Sequence, residues 1–451
     1  MFDSLLVMSK TFRAWDVDQA WLLPPSVHQF VPPGHLAHVV RDTVREALDA
    51  SAITGIYKAE QGQPPYHPGM LVALLLYGYS RGIYSSRQLA RACGERLDVM
   101  AVTGLNQPDF RTISDFRKRH LASLSSLFVQ VLRLCQAAGL VKLGHVAVDG
   151  TKLRANASRH KAMSYKHMAQ QEPKLAAEVA SWLDRADAAD AAEDAQHGAD
   201  RRGDETPDWM ADKQRRRERI RAARAQLEAE AKAGPGSTDP DGPGPCSGMQ
   251  ERGARNDKPA DTPPDKAPRN LTDGDSCIMP SQGGFIAGCN GQIAVDAAHQ
   301  IIVAQRLATH PADFAGLVPL VDQACANLGR KLREVSGDTG FATEANLDAM
   351  AERRVRAYVS PGRIRHGETD PTATRVLKRK PRMQAMADTI GNAGRRSRYR
   401  LRKQVVEPVF GHIKQAKGFR QFLVRGLNKV TGEWAMVCTA HNLFKLHKVA
   451  A

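Results

Sequence analysis

The strongest constraint on the fold is a run of alternating strand and helix patterns in residues 284–361, preceded at a distance by one apolar strand at 145–151. The run opens with two β-rich segments, 284–296 and 301–309, which a short AAHQ connection would join as an antiparallel pair. Helical and extended patterns then alternate up to residue 361. This order predicts an α/β fold with a mixed sheet.

The later elements of the run are predicted as helices at 313–328 and 343–353 and as strands at 332–340 and 355–361. A first strand, a hairpin and then alternating helices and strands fit a ribonuclease-H-like mixed sheet flanked by helices. The residues between the first and second strands would then form an insertion.

The insertion, 160–270, is predicted to be partly helical and partly disordered. It contains two helical patterns, 174–197 and 209–232, the second with weak heptad character. Residues 234–268 then hold 14 Gly and Pro among 35 residues, which is typical of a flexible linker.

Residues 1–142 are predicted to form a helical N-terminal DNA-binding or dimerisation domain, and residues 143–451 the α/β domain. Residues 85–120 hold three helical patterns, the first capped by Ser86 and ended by Gly94. This arrangement is similar to a helix-turn-helix, although an ordinary three-helix packing unit with basic surface positions would show the same pattern. The basic side chains near the start of the third helix are Arg111, Arg117, Lys118 and Arg119.

The net charge of +16 is concentrated at the C-terminal end of the chain. Residues 351–451 hold 23 Lys and Arg against 6 Asp and Glu, whereas residues 1–350 hold 41 against 42. Basic runs at 375–382 and 395–403 predict a polyanionic partner that is bound through phosphate contacts. No apolar stretch approaches the length of a membrane span, and the seven cysteines include no CxxC pair. We therefore expect a cytoplasmic protein with reduced thiols and no membrane contact.

Three carboxylates stand where predicted elements could bring them together. Asp149 lies near the end of the first strand, Asp338 follows a later strand, and Glu407 opens a helix whose Pro408 suits a first turn. Taken singly, each has an ordinary role in a turn, a cap or an ion pair. Together they would bind two Mg²⁺ or Mn²⁺ ions about 4 Å apart, a site for in-line displacement at phosphorus.

Basic residues surround Glu407 in sequence. Lys414 would lie on the same helical face as Glu407, and Arg402 precedes it, so both are predicted to bind the DNA backbone unless they are ordinary exposed charges. Two other carboxylates receive structural roles: Asp296 in a β-turn and Asp313 as the N-cap of its helix.

Several motifs resemble the Asp-Asp-Glu transposases of bacterial insertion sequences, specifically the insertion-sequence eleven-eighty-two family. They are VAVDGTKLRANAS, GDTGFATEANL, YRLRKQVVEPVFGHIKQAKGFRQFLVRG and two N-terminal segments, KTFRAWDVDQAWLLPPSVHQFVPPGHL and YHPGMLVALLLYGYSRGIYSSRQLARAC. The resemblance extends from about residue 10 to residue 446. It implies that Asp149, Asp338 and Glu407 are the metal-binding catalytic triad.

The resemblance also implies a Tyr-Arg-Glu-Lys signature at Tyr399, Arg402, Glu407 and Lys414. Four residues separate Arg402 from Glu407 where three are usual, so Lys403 is an alternative for the arginine position. Phe341 stands where a tyrosine is common.

The function implied is that of a DNA transposase in the bacterial cytoplasm, associated with the nucleoid. It would bind the terminal inverted repeats, hydrolyse phosphodiesters and join 3′-hydroxyls to target DNA as a homodimer or larger synaptic complex. Two alternatives are a non-catalytic DNA-binding derivative and a nuclease without strand transfer.

Overall fold

The computed structural model describes residues 26–56, 65–197, 208–233, 262–281, 284–361, 380–393 and 397–450. Most of the predicted linker, the basic residues 375–379 and 395–396, and the part of the first transposase-like segment before residue 26 lie outside the described residues.

Eight strands are found in the described part of the chain. They are β1 (Val146–Arg154), β2 (Ala162–Ser164), β3 (Pro268–Asn270), β4 (Cys277–Ser281), β5 (Gly284–Asp296), β6 (Ile302–Ala308), β7 (Glu334–Gly337) and β8 (Arg356–Val359). The predicted hairpin is confirmed, because β5 and β6 pair in antiparallel register from Asn290 opposite Ala308 to Val295 opposite Ile302.

The main sheet contains the predicted first strand, hairpin and two later strands, together with β4, which the sequence did not predict. β5 pairs antiparallel with β1, and it also pairs with β6 and with β4. On the other side of β1, β7 and β8 follow in parallel. β1 is therefore a central strand, as its apolar Val146–Val148 start suggests. The fold class is α/β, with the mixed sheet and flanking helices that the sequence predicted.

The helices before β1 are α1 (Leu36–Asp42), α2 (Ser51–Thr54), α3 (Pro68–Arg81), α4 (Ser86–Glu95), α5 (Leu97–Thr103) and α6 (Phe110–Ala137). Gly94 does not end its helix as predicted but lies within α4. The break comes at Arg96, whose backbone is extended. Asp109 caps α6 by accepting from the amides of Arg111 and Thr112.

The helices after β1 are α7 (Tyr165–His197), α8 (Asp208–Ala233), α9 (Leu317–Leu328), α10 (Glu344–Glu352), α11 (Pro381–Ala393), α12 (Leu401–Val405), α13 (Glu407–Gly411) and α14 (Leu427–Ala450). Both predicted insertion helices are therefore present, as α7 and α8. They share a small core of their own, formed by Met168, Leu175, Ile220, Ala223, Leu227 and Ala267.

The main hydrophobic core extends across the predicted domain boundary at residue 142. It runs from Val31 in the N-terminal region to Leu443 in α14, and α14 packs against both α6 and α3. Trp434 is fully buried beside Gly291 of β5, where a side chain on the glycine would collide with the indole. The N-terminal helices and the sheet are thus joined through α14.

Two further predictions concern membrane contact and the oxidation state of the cysteines. No helix in the described ranges is long and apolar enough to cross a membrane. Cys277 is disulfide-bonded, so the prediction that all cysteines are reduced is wrong for this residue. Cysteine spacing gave no signal of it, because a disulfide depends on distances in the folded chain.

Candidate active site

Asp149 lies in the middle of the central strand. β1 continues three residues beyond the predicted end, to Arg154, and its first three residues are fully buried. The Asp149 side chain is 15% exposed, and its Oδ1 accepts a hydrogen bond from the amide of Gly150. A carboxylate is therefore held near the centre of the sheet with little access to water.

Asp338 follows the parallel neighbour of β1. It caps the short turn Thr339–Phe341, with its Oδ1 accepting from the amide of Gly340 at 2.9 Å. Phe341, in the position where a tyrosine is common, is fully buried. Since β1 and β7 are adjacent and parallel, their carboxylates belong to the same region of the sheet.

Glu407 reaches this region through Arg402. The Nη1 of Arg402 donates to Asp149 Oδ2 at 2.8 Å, and its Nη2 lies 3.8 Å from Glu407 Oε1. The Arg402 side chain is 12% exposed, whereas that of Glu407 is 52% exposed. One guanidinium thus connects the carboxylates of β1 and α13. Lys403, the alternative for the arginine position, is exposed, whereas Arg402 contacts Asp149 and Glu407.

The acidic side chains influence one another. Burial raises the pKa of Asp149 to about 7; the charges of Asp338 and Asp313 add to the increase and Arg402 opposes it. Burial also raises the pKa of Asp338, with Asp313 as the next cause. These carboxylates therefore form one electrostatic cluster that Arg402 neutralises only in part.

Lys414 is tied to the central strand. It lies in a π-helical turn, His412–Ala416, which interrupts the regular helical spacing assumed from the sequence. Its Nζ donates to Thr151 Oγ1 at 2.6 Å and to the carbonyl of Lys152 at 2.9 Å. Burial lowers the pKa of Lys414. The lysine therefore anchors the segment after Glu407 to β1, two residues beyond Asp149.

The other predicted DNA-binding residues differ in exposure. Lys118 and Arg119 are exposed on α6, and Tyr399 is half-buried in the turn Arg398–Arg400. Arg117 is 5% exposed, and its Nη1 donates to the carbonyl of Tyr84 at 2.8 Å. The predicted DNA contact by Arg117 is wrong, because the helical period turns this residue into the core.

Asp313 lies beside the candidate site with contacts that the sequence did not predict. It was predicted to be a helix N-cap, but its side chain makes no capping hydrogen bond. Its Oδ1 instead accepts from the side-chain amides of Asn290 and Gln292. The signal that could have found it is the pair of amides two residues apart in β5, which share one face of the strand. Asp296 does hold a turn, accepting from the amide of Ala298.

The donor set suits a hard divalent cation in its chemistry, since carboxylate oxygens are the ligands such ions prefer. Within the described ranges, however, no three acidic, histidine or cysteine side chains already stand in a metal-binding arrangement. Arg402 holds one oxygen of Asp149 and lies near one of Glu407. Binding of a cation to both carboxylates would therefore require this guanidinium to move.

Comparisons with known families point to one class of enzyme. Residues 25–119 match a transposase domain, DUF772, and residues 368–447 match a transposase DDE domain. The second match contains Arg402, Glu407 and Lys414. No curated protein and no solved structure gave a significant match. DDE transposase domains generally use divalent metal ions. The two matches support an insertion-sequence transposase, and the DDE match indicates a metal-dependent polynucleotidyl transferase or endonuclease.

Proposed function

We propose that Asp149, Asp338 and Glu407 are the catalytic carboxylates of this transposase. The observation that carries the proposal is the Arg402 guanidinium, which lies against both Asp149 and Glu407 beside the strand that leads to Asp338. Residues from three distant parts of the sequence thus lie in the same region of the sheet. The assignment of this transposase to the insertion-sequence eleven-eighty-two family is part of the same proposal.

The three carboxylates would hold two divalent cations, Mg²⁺ or Mn²⁺. When bound, such ions activate the attacking hydroxyl and stabilise the leaving oxygen in phosphoryl transfer. Asp149 and Asp338 supply half-buried carboxylates on the sheet, and Glu407 supplies a carboxylate that is accessible from solvent. Lys414 fixes the segment after Glu407 to β1. Once released from Asp149, Arg402 would be free to contact a DNA phosphate.

The substrate would be the terminal inverted repeats of the element, cut to expose 3′-hydroxyls that are joined to target DNA. The exposed basic side chains Lys403, Lys118 and Arg119 would bind the phosphate backbone. The half-buried Tyr399 and, once it is released from Asp149, Arg402 would add contacts near the site. Joining requires two ends at once, so we propose a homodimer or larger synaptic complex, in the bacterial nucleoid.

The test is cleavage of labelled element ends, taken from the DNA that flanks the coding region. With Mg²⁺ or Mn²⁺ the purified protein should nick these ends, and Asp149→Ala should abolish nicking while DNA binding in a gel-shift assay persists. Glu352→Ala, an exposed acid in α10, is the matched control. Full cleavage by Asp149→Ala would refute the proposal.

Two further outcomes separate the alternatives. Salt-dependent DNA binding without cutting of any end would indicate a non-catalytic DNA-binding protein. Cleavage without joining of pre-cleaved ends to a target plasmid would indicate a nuclease.

A further inference from the structure

The carboxylate of Asp313 is oriented by two buried amides. Its Oδ1 accepts from Asn290 Nδ2 at 2.7 Å and from Gln292 Nε2 at 2.8 Å. Both amide residues are 1% exposed and lie on β5. Burying an amide side chain costs free energy unless it is hydrogen-bonded. Asp313 accepts a hydrogen bond from each of these two amides and so offsets that cost. The second oxygen, Oδ2, receives no hydrogen bond from the described residues.

Two glycines next to the proposed catalytic aspartates leave room for Asp313. A Cβ on Gly150, adjacent to Asp149, would collide with Asp313 Oδ1. A Cβ on Gly340 would lie 3.0 Å from Asp338 Oδ1 and 3.4 Å from Asp313 Oδ2. The carboxylates of Asp313 and Asp338 therefore face the same small volume above Gly340.

Ordinary structural roles do not account for Asp313. It makes no capping hydrogen bond at its helix. No salt bridge to Asp313 occurs within the described ranges. Neutral amides fix the direction of its carboxylate but do not neutralise its charge, which stays beside a second acid. Hard divalent cations are the partners that such an arrangement suits.

We propose that Asp313 is a fourth acidic residue of the divalent-cation site, beside Asp338, and that Asn290 and Gln292 aim its free oxygen at the cation. The inference rests on the proposed function, since it adds a residue to that same site.

The test measures Mn²⁺ binding to the full-length protein without DNA. The readout is the loss of the electron paramagnetic resonance signal of free Mn²⁺ as the ion binds. Asp313→Asn keeps the shape of the side chain and an oxygen for the two amides but removes the charge. It should weaken Mn²⁺ binding about tenfold or more. Asp322→Asn is the matched control, because that aspartate is exposed on α9 and pairs only with Arg353 among the described residues. It should bind Mn²⁺ as the wild type does.

A second variant tests the aiming of Asp313. Asn290→Ala retains every carboxylate but removes one amide donor, and it should weaken Mn²⁺ binding by about tenfold, as the loss of an outer-shell partner does. Thermal unfolding without metal shows whether each variant is folded, and the size of the Mn²⁺-induced rise in melting temperature is a second readout.

The outcomes distinguish this inference from the proposed function. If Asp149→Asn weakens Mn²⁺ binding but Asp313→Asn and Asn290→Ala do not, Asp313 lies outside the cation site and the inference is overturned. If Asp149→Asn itself leaves Mn²⁺ binding unchanged, the proposed catalytic site is wrong.

Discussion

Arg402 donates a hydrogen bond to Asp149 across 2.8 Å, although the two residues are separated by 253 positions in the sequence. The pair connects the central strand with the segment that leads to Glu407. Through the same contact, the positive charge of Arg402 opposes the rise in the pKa of Asp149 that burial causes.

Removal of the Arg402 charge should change metal binding and cleavage in opposite directions. Arg402→Gln frees the Oδ2 of Asp149, so Mn²⁺ binding to the free protein should tighten by about tenfold, or ~1.4 kcal/mol. Cleavage of element ends should fall, because a phosphate contact is lost. Calorimetric titration at pH 7 and pH 8 measures the affinity, because the pKa of Asp149, about 7 beside Arg402, rises when that charge is removed. Arg400→Gln, an exposed neighbour, should change neither property, and weaker Mn²⁺ binding by Arg402→Gln would contradict the prediction.

The neighbours Arg117, Lys118 and Arg119 should respond differently to alanine. Lys118 and Arg119 are exposed, so the double substitution to alanine should lower the slope of log affinity against log salt by about two. Arg117→Ala should reduce stability instead, because it leaves buried acceptors without their donor. Filter binding at several salt concentrations gives the slope, and an unchanged slope in the double variant would exclude α6 from the DNA contact.

A buried acid joins the N-terminal helices to the segment after the active site. Glu433 accepts from Tyr79 Oη at 2.7 Å and from the amide of Leu423 at 2.8 Å, with Arg117 nearby as a favourable charge. Glu433→Ala should lower the free energy of unfolding by about 3–5 kcal/mol, because it leaves the buried Tyr79 hydroxyl and the Leu423 amide without their acceptor and removes a charge that favours Arg117. Tyr79→Phe should cost about 1.5–3 kcal/mol.

Urea denaturation measures the free energy of unfolding of the Glu433→Ala and Tyr79→Phe variants. The exposed acid Glu352 provides the comparison, since its alanine variant should stay within about 0.5 kcal/mol of the wild type. A similar effect of Glu352→Ala and Glu433→Ala would show that the buried network contributes little.

A buried lysine should make stability depend on pH. Burial lowers the pKa of Lys417 from 10.5 to about 7. Between these values the unfolded chain holds the extra proton, so the stability of the wild type should rise as the pH increases from 7 to 10. The Lys417→Met variant lacks this titrating group. Its melting temperature should therefore exceed that of the wild type most near pH 7, and the difference should shrink towards pH 10. The exposed Lys429→Met should show no such trend, and an equal gain at both pH values would contradict the assignment.

Much of the fold could be predicted because strand and helix periods are local properties. The sequence correctly located β1 with Asp149, the β5–β6 hairpin and the strand before Asp338. The same periods correctly predicted the two insertion helices. Apart from the helix end at Gly94, what failed depends on side chains that meet only after folding.

Arg117 and Asp313 show why the remainder was missed. The basic run around Arg117 predicts an exposed surface, but one residue in three or four of any packed helix faces its partner, and here that residue is Arg117. Asp313 precedes a helix, which usually indicates a cap, and only the register of β5 shows that Asn290 and Gln292 bind it instead. Sequence patterns therefore predict a side chain's role least well where its partners are distant in the sequence.

The packing of α14 against α3 and α6 has a consequence for biosynthesis. A ribosome makes α6 long before it makes α14, so the apolar face of α6 waits for its partner while the whole sheet is being translated. During that interval the nascent chain carries exposed apolar surface that chaperones could recognise. The order of translation therefore delays assembly of the nuclease core until the helix that closes it has emerged.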